Sequence, residues 1–260
     1  MDGSSLKKAQ LFIVTYARDL DWLAVSLRSI AKYWTSGLPP LIVANKDSMG
    51  KLPGAVHALG CTVHWVDLWS DGRRDQIYLK MIADTLVSPE AEAVLFLDSD
   101  CLFTRPVTPD LLCDPEGRPF IRMRSYASAL AEGINGRRLN EIEAWSYRGY
   151  ADVVRETLTG SSPRYEYMQA MPYLFYTETV RRTREAILRR TGKSLKEVML
   201  GYHSSLFSEF NLFGAYAHLF APERYCFLLP EEYGPKCVRE FHSWTQTPAG
   251  ERAEIERLLA

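Results

Sequence analysis

Long apolar runs are missing from this 260-residue chain. No stretch approaches the ~20 consecutive apolar residues that a membrane-spanning helix needs. The opening residues, MDGSSLKKAQ, hold no apolar segment of signal-peptide length. Both absences lead to the expectation of a soluble, cytoplasmic protein. An excess of charge is missing too. The 31 basic and 32 acidic residues leave a formal net charge of -1, so no chain-wide field favours nucleic acid or an anionic membrane. No nucleic-acid partner is expected. Cysteine is sparse: Cys61, Cys101, Cys113, Cys226 and Cys237 are odd in number, and none pairs at CxxC spacing. That argues against a zinc or redox site and for free thiols in a reducing compartment. Repeats and low-complexity tracts are absent as well.

What is present is apolar residues, 47% of the chain. One large α/β domain with a sizeable core is therefore expected over residues 1–260. The first 107 residues alternate strand-like and helix-like segments. Leu11–Tyr16, Leu41–Ala44, Thr62–Leu68 and Ala93–Leu97 read as strands. Leu20–Trp34 carries Leu23, Leu27 and Ile30 at helical spacing, and Asp75–Val87 carries Leu79, Ile82 and Leu86. Ser48–Leu59 reads as loop then helix. The alternation predicts βαβ units and a mostly parallel sheet flanked by helices. Such a sheet binds ligands beyond the carboxyl ends of its strands. Residues 108–260 are less regular and helix-rich. Arg137–Leu158, Glu178–Arg190 and Ser194–Leu200 read as helices. Leu206, Phe210, Phe213, Ala217 and Phe220 mark a further buried helix face, and Glu251–Leu259 is a polar helix whose role the pattern does not reveal.

The informative string is AVLFLDSDCLFTRPV, residues 93–107, in which an apolar strand ends in Asp98 and Asp100. One acid there would serve as a helix cap or Asx turn. Two acids flanking Ser99 repel each other unless a cation or donors compensate. Hard oxygen ligands at a strand end suit Mg²⁺ or Mn²⁺, which commonly coordinate substrate phosphates as well. Haloacid dehalogenase-like phosphatases use such a string, but their pattern wants Thr or Val where Leu102 stands, and a downstream acidic Gly-Asp cluster that is absent. The string better resembles the DxD motif of GT-A glycosyltransferases, which follows a hydrophobic strand after a nucleotide-binding βαβ half. The similarity covers the first half of the chain and scattered points of the second, and is greatest to a bacterial group of small GT-A-like proteins.

The resemblance implies a GT-A fold, with residues 1–107 as the nucleotide-sugar half and 108–260 as the acceptor half. Asp100 would ligate a divalent metal, Mn²⁺ or Mg²⁺, bridging the donor diphosphate. Asp98 would assist through the ribose or a metal-bound water, and Ser99 would lie against the nucleotide. Thr15 and Tyr16 would line the base and ribose pocket. His242, in CVREFHSW, would be a third metal ligand, with His203 as the fallback. Glu209 would be the base that deprotonates an acceptor hydroxyl in an inverting reaction. A UDP-sugar donor and a glycan or lipid-linked saccharide acceptor are implied, with peripheral membrane contact left open.

Some residues keep two readings. Arg73, Gln76 and Lys80, spaced three and four apart, share a helix face if the helix begins early enough. Arg74 or Arg73, with Lys80, would then contact the donor; alternatively this is a solvated face with a Lys80–Asp84 pair worth ~0.3 kcal/mol. His57 and His64 read as structural. The aromatic stretch Arg164–Thr179 could stack on sugar rings or form a core-facing loop and strand. A nucleotidyltransferase would want a Gly-rich basic loop after the first strand, and TYARDLDW has no glycine. A non-catalytic sugar-binding module is opposed by intact Asp98, Asp100 and Glu209.

Overall fold

The computed structural model describes residues 8–133 and 137–260. Most of the amino-terminal stretch inspected for a leader lies outside them. In chain order, β1 (Ala9–Thr15) leads into α1 (Leu20–Tyr33). β2 (Leu38–Asn45), the short α2 (Ala55–Ala58) and β3 (Thr62–Val66) follow, then α3 (Gly72–Met81), β4 (Ala93–Phe96) and β5 (Cys101–Phe103). The second half holds α4 (Pro109–Leu112), β6 (Phe120–Arg122), β7 (Arg124–Ser125), α5 (Tyr126–Glu132), α6 (Glu141–Val154), β8 (Tyr165–Glu166) and β9 (Tyr173–Tyr176). It continues with α7 (Thr177–Thr191), α8 (Leu195–Leu200), α9 (Glu209–Phe220), β10 (Cys226–Leu228), β11 (Val238–Glu240) and α10 (Arg252–Leu259).

The central sheet has the order β3-β2-β1-β4-β9. The first four strands are parallel and β9 runs antiparallel to β4. β1 is buried along its whole length, as expected of a central strand covered on both faces. From β1 the chain winds outward to β3 and then returns to the other side of β1 as β4. This reversal is a topological switch point, and a crevice opens there beyond the carboxyl ends of the strands. Asp98 and Asp100 stand at it.

Several boundaries differ from the sequence reading. The helix expected from Asp75 starts at Gly72, because the Asp71 side chain accepts the Arg74 N–H and caps it. It ends at Met81, and a 3-10 turn, Ala83–Thr85, carries the chain onward. The expected Arg137 helix starts at Glu141, where Asn140 and Glu143 form a capping box. Ser208 caps α9, so Leu206 falls in a preceding 3-10 turn, and Phe220 is exposed. The aromatic stretch supplies β9, a core strand, which settles its second half as structural.

One large apolar cluster joins the halves: Phe12 and Phe96 from the sheet pack with Phe210 and Phe213 of α9. A smaller cluster of Trp22, Leu102, Phe241 and Ile255 lies where α10 covers α1. This gives the polar tail helix its role. Cys61, Cys101, Cys226 and Cys237 are free thiols. No helix among the described residues is long and apolar enough to cross a membrane.

Candidate active site

The turn after β4 is held rigidly. The Ser26 hydroxyl of α1 donates to the Cys101 carbonyl (2.7 Å), and the Ser29 hydroxyl accepts the Phe103 N–H (3.0 Å). These two buried serines clip β5 to α1. β11 pairs antiparallel with β5, setting Glu240 opposite Cys101 and Val238 opposite Phe103. The Phe241 N–H then donates to the Asp100 carbonyl (3.0 Å), and the Ser243 N–H donates to Asp100 Oδ2 (3.1 Å). Segments 143 positions apart thus make facing walls of one cleft.

The cleft has a volume of about 270 Å³. Tyr16, Arg18 and Asp19 wall it beyond β1, and Arg73 and Gln76 wall it from α3. Asp98, Ser99 and Asp100 wall it beyond β4, and residues 240–244 close the far side. Of the residues singled out from sequence, the cleft brings together Tyr16, Asp98, Ser99, Asp100 and His242, all of which line it.

Thr15 does not line it. Its side chain is fully buried with no hydrogen-bond partner for Oγ1. Successive residues of an extended strand point to opposite faces, so Tyr16 reaches the cleft, where its hydroxyl donates to the Gly72 carbonyl (2.6 Å). Arg74 is likewise displaced by its neighbour Arg73. Its guanidinium donates to Ser70 Oγ (2.7 Å) and the Tyr202 carbonyl (3.2 Å) and pairs with Asp71 (3.1 Å). It fastens the turn to the segment after α8.

Lys80 lies beneath the cleft rather than in it. It is 3% exposed and bridges two carboxylates, Asp98 Oδ1 at 2.7 Å and Glu209 Oε1 at 3.0 Å. Its ammonium also sits over the Phe210 ring, 4.9 Å from the centroid. Burial pushes the Lys80 pKa down, but Asp98 and Glu209 outweigh it and hold the pKa above its ordinary value. The solvated Lys80–Asp84 pair does not form; Asp84 pairs with Arg184 instead. Gln76 Nε2 donates to Asp98 Oδ1 as well (3.1 Å). Because α3 starts early, Arg73, Gln76 and Lys80 do share a face, with the last turned under β4. Glu209, 5% exposed, is the first residue of α9 and lies behind Lys80, away from the cleft walls.

Asp100 is the more deeply buried of the two acids. Burial, and then the charge of Asp98, push its carboxyl up to about 6, against the pull of the Ser243 N–H. His242 is exposed and lies beside Trp244, ring centroids 4.7 Å apart. Among the described residues no three His, Cys, Asp or Glu side chains are grouped so as to hold a metal. The expected trio of Asp98, Asp100 and His242 is thus not assembled. His203, the fallback, packs on Trp145, and its ring nitrogen accepts the Ser205 N–H. Two carboxylates on one wall remain a donor set of the hard-oxygen kind. Mg²⁺ and Mn²⁺ are commonly held by one or two carboxylates plus substrate phosphates, so the residues fit such an ion without a third protein ligand.

Sequence reasoning missed Arg18, Glu240 and Trp244. A signal for Glu240 was available: in VRE the buried Val238 and exposed Arg239 alternate, and period two returns Glu240 to the inner face. It also missed Glu166, a fully buried carboxylate of β8. No protein-family model matches the sequence, and no curated protein matches it.

Proposed function

We propose that this protein is a metal-dependent glycosyltransferase of GT-A type, moving a sugar from a nucleoside diphosphate donor to a saccharide acceptor. The observation that carries this reading is the pair of cleft-lining carboxylates, Asp98 and Asp100, at the switch point of a mostly parallel sheet. Asp98 and Asp100 would hold the dication. When bound, Mn²⁺ or Mg²⁺ supplies positive charge against the departing diphosphate. Arg18 and Arg73 add two guanidinium groups to the same cleft, matched to phosphate oxygens. Tyr16 offers a ring for the nucleoside, held by its bond to Gly72. Lys80 and Gln76 hold Asp98 in place. Uridine as the base, and a glycan or lipid-linked acceptor, follow from the DxD resemblance. Glu209 is not carried forward as the base.

A thermal-shift titration with nucleoside diphosphates and nucleotide sugars, with and without Mn²⁺, tests the proposal. A ligand at 100 times its dissociation constant stabilises the fold by about 2.7 kcal/mol. That corresponds to a Tm rise of roughly 5–10 °C for a chain of this size. The rise is expected to need both nucleotide and Mn²⁺, and Asp100→Ala is expected to abolish the Mn²⁺-dependent part. An unchanged Mn²⁺ response in the variant would remove the metal assignment.

A further inference from the structure

Among the described residues two cleft carboxylates, Asp100 and Glu240, form no ion pair, and Asp100 accepts the Ser243 N–H and is assigned to the dication above, which leaves Glu240. Asp98 is paired with Lys80, and Asp19 lies 3.5 Å from Arg18. Among the described residues Glu240 forms no ion pair. Its carboxylate takes one hydrogen bond, from the Met171 N–H to Oε1 (3.1 Å). That bond fixes the carboxyl group and leaves Oε2 for a ligand. Glu240 lines the cleft, and with Asp98 and Asp100 it is not grouped closely enough to form a metal set. A carboxylate in a half-closed cleft accepts hydrogen bonds and donates none, so its partner must bring O–H or N–H groups.

The order of strands says what that partner is. Tyr16 and Arg18 stand beyond β1, the acids beyond β4, and Met171 just before β9. These strands are neighbours in the sheet, in the order β1-β4-β9. Glu240 is tied to the Met171 end of that row. A donor with its nucleoside over β1 and its diphosphate at Asp98 and Asp100 therefore extends its sugar toward Glu240, because the sugar is bonded directly to the outer phosphate.

We propose that Glu240 is a specificity-determining residue: its Oε2 accepts a hydrogen bond from a hydroxyl of the sugar on the nucleotide donor. The inference rests on the transferase reading above. A site built to bond a hydroxyl rejects the epimer that lacks it in that place, because the buried acceptor is then left unpaired.

The test compares wild type, Glu240→Gln and Glu240→Asp by calorimetric titration in Mn²⁺. The probes are a nucleoside diphosphate alone and its glucose, galactose and mannose derivatives. Gln keeps a carbonyl for the Met171 N–H and presents an N–H₂ where Oε2 stood. Asp keeps the charge and withdraws it by one methylene. The wild type is expected to prefer one epimer by about tenfold or more, the scale of a hydrogen bond to a charged group. Both variants are expected to lose most of that preference while binding the bare diphosphate within about twofold of wild type. An intact preference in both variants overturns the inference. So does a uniform loss that includes the diphosphate, and so does an intact preference accompanied by lost transfer, which would move Glu240 to the acceptor side. Failure of the wild type to bind any of the probes would instead bring down the transferase reading itself.

Discussion

Lys80 carries its charge where an isolated ammonium could not remain ionised. Removing an ion from water costs several kcal/mol even after relaxation. Two carboxylates and the face of Phe210 offset that cost. The arrangement also explains why Asp98 and Asp100 differ although they flank one serine. Asp98 has Lys80 and Gln76 as partners, whereas Asp100 has a backbone N–H and a buried setting. Breaking a buried pair leaves charge uncompensated, so Lys80→Met is expected to cost about 3–5 kcal/mol, read as the shift in chemical denaturation midpoint. Loss of less than about 1 kcal/mol would show that Lys80 is not the counter-charge of the site. At this scale the sequence was legible where chemistry is local. Asp98 and Asp100 advertise themselves by proximity and by the strand before them. Lys80 and Glu209 were noticed singly but not as partners, because their contact joins residues 129 apart in the chain, which periodicity does not reveal.

The elements show how such distant contacts are enforced. α9 meets β8 and the residues after it at Gly214, where even one added carbon would overlap the Cβ and Cγ of Tyr167. Tyr167 cannot move aside freely. Its N–H donates to Asn211 Oδ1 (2.8 Å), its hydroxyl is bonded to His218 Nδ1 (2.8 Å), and its ring is buried. Gly214→Ala, which raises helix propensity, is nonetheless expected to destabilise by about 1–3 kcal/mol through overpacking, seen as a lowered Tm. A neutral or stabilising result would mean that α9 and β8 are loosely joined. The strands β1, β2 and β4 could be read from sequence because each holds a continuous buried run, and β3 because TVHWV is rich in β-formers between helix-like segments. β5, β8 and β11 are two or three residues long, too short for any period to register, yet β5 and β11 contribute to the cleft walls and β8 carries the buried Glu166.

For the whole molecule, stability should depend on pH through Glu166. Burial pushes its carboxyl up to about 8, against the opposing effects of the Met168 N–H and Arg124. Below the ordinary glutamate pKa of about 4.5 the group is protonated in both folded and unfolded chains. Between that value and about 8 the folded chain keeps the proton that the unfolded chain releases. Stability from this group is therefore lost as pH rises through that window, with a limiting slope of about 1.4 kcal/mol per pH unit. Glu166→Gln is expected to flatten the fall in Tm between pH 5 and pH 8. Parallel curves for the two proteins would show that Glu166 is ionised in the fold. The α/β layering was legible because it rests on repeated local patterns, whereas the C-terminal wall was not, since it forms by reaching back to Asp100 and α1. That reach has a temporal side. Synthesis proceeds from the amino end, so the nascent polypeptide presents both acids and their lysine long before Ser243 and Phe241 exist to face them. The parallel strands can assemble early, while the cleft is completed only when the ribosome has delivered β11 and the residues that follow it.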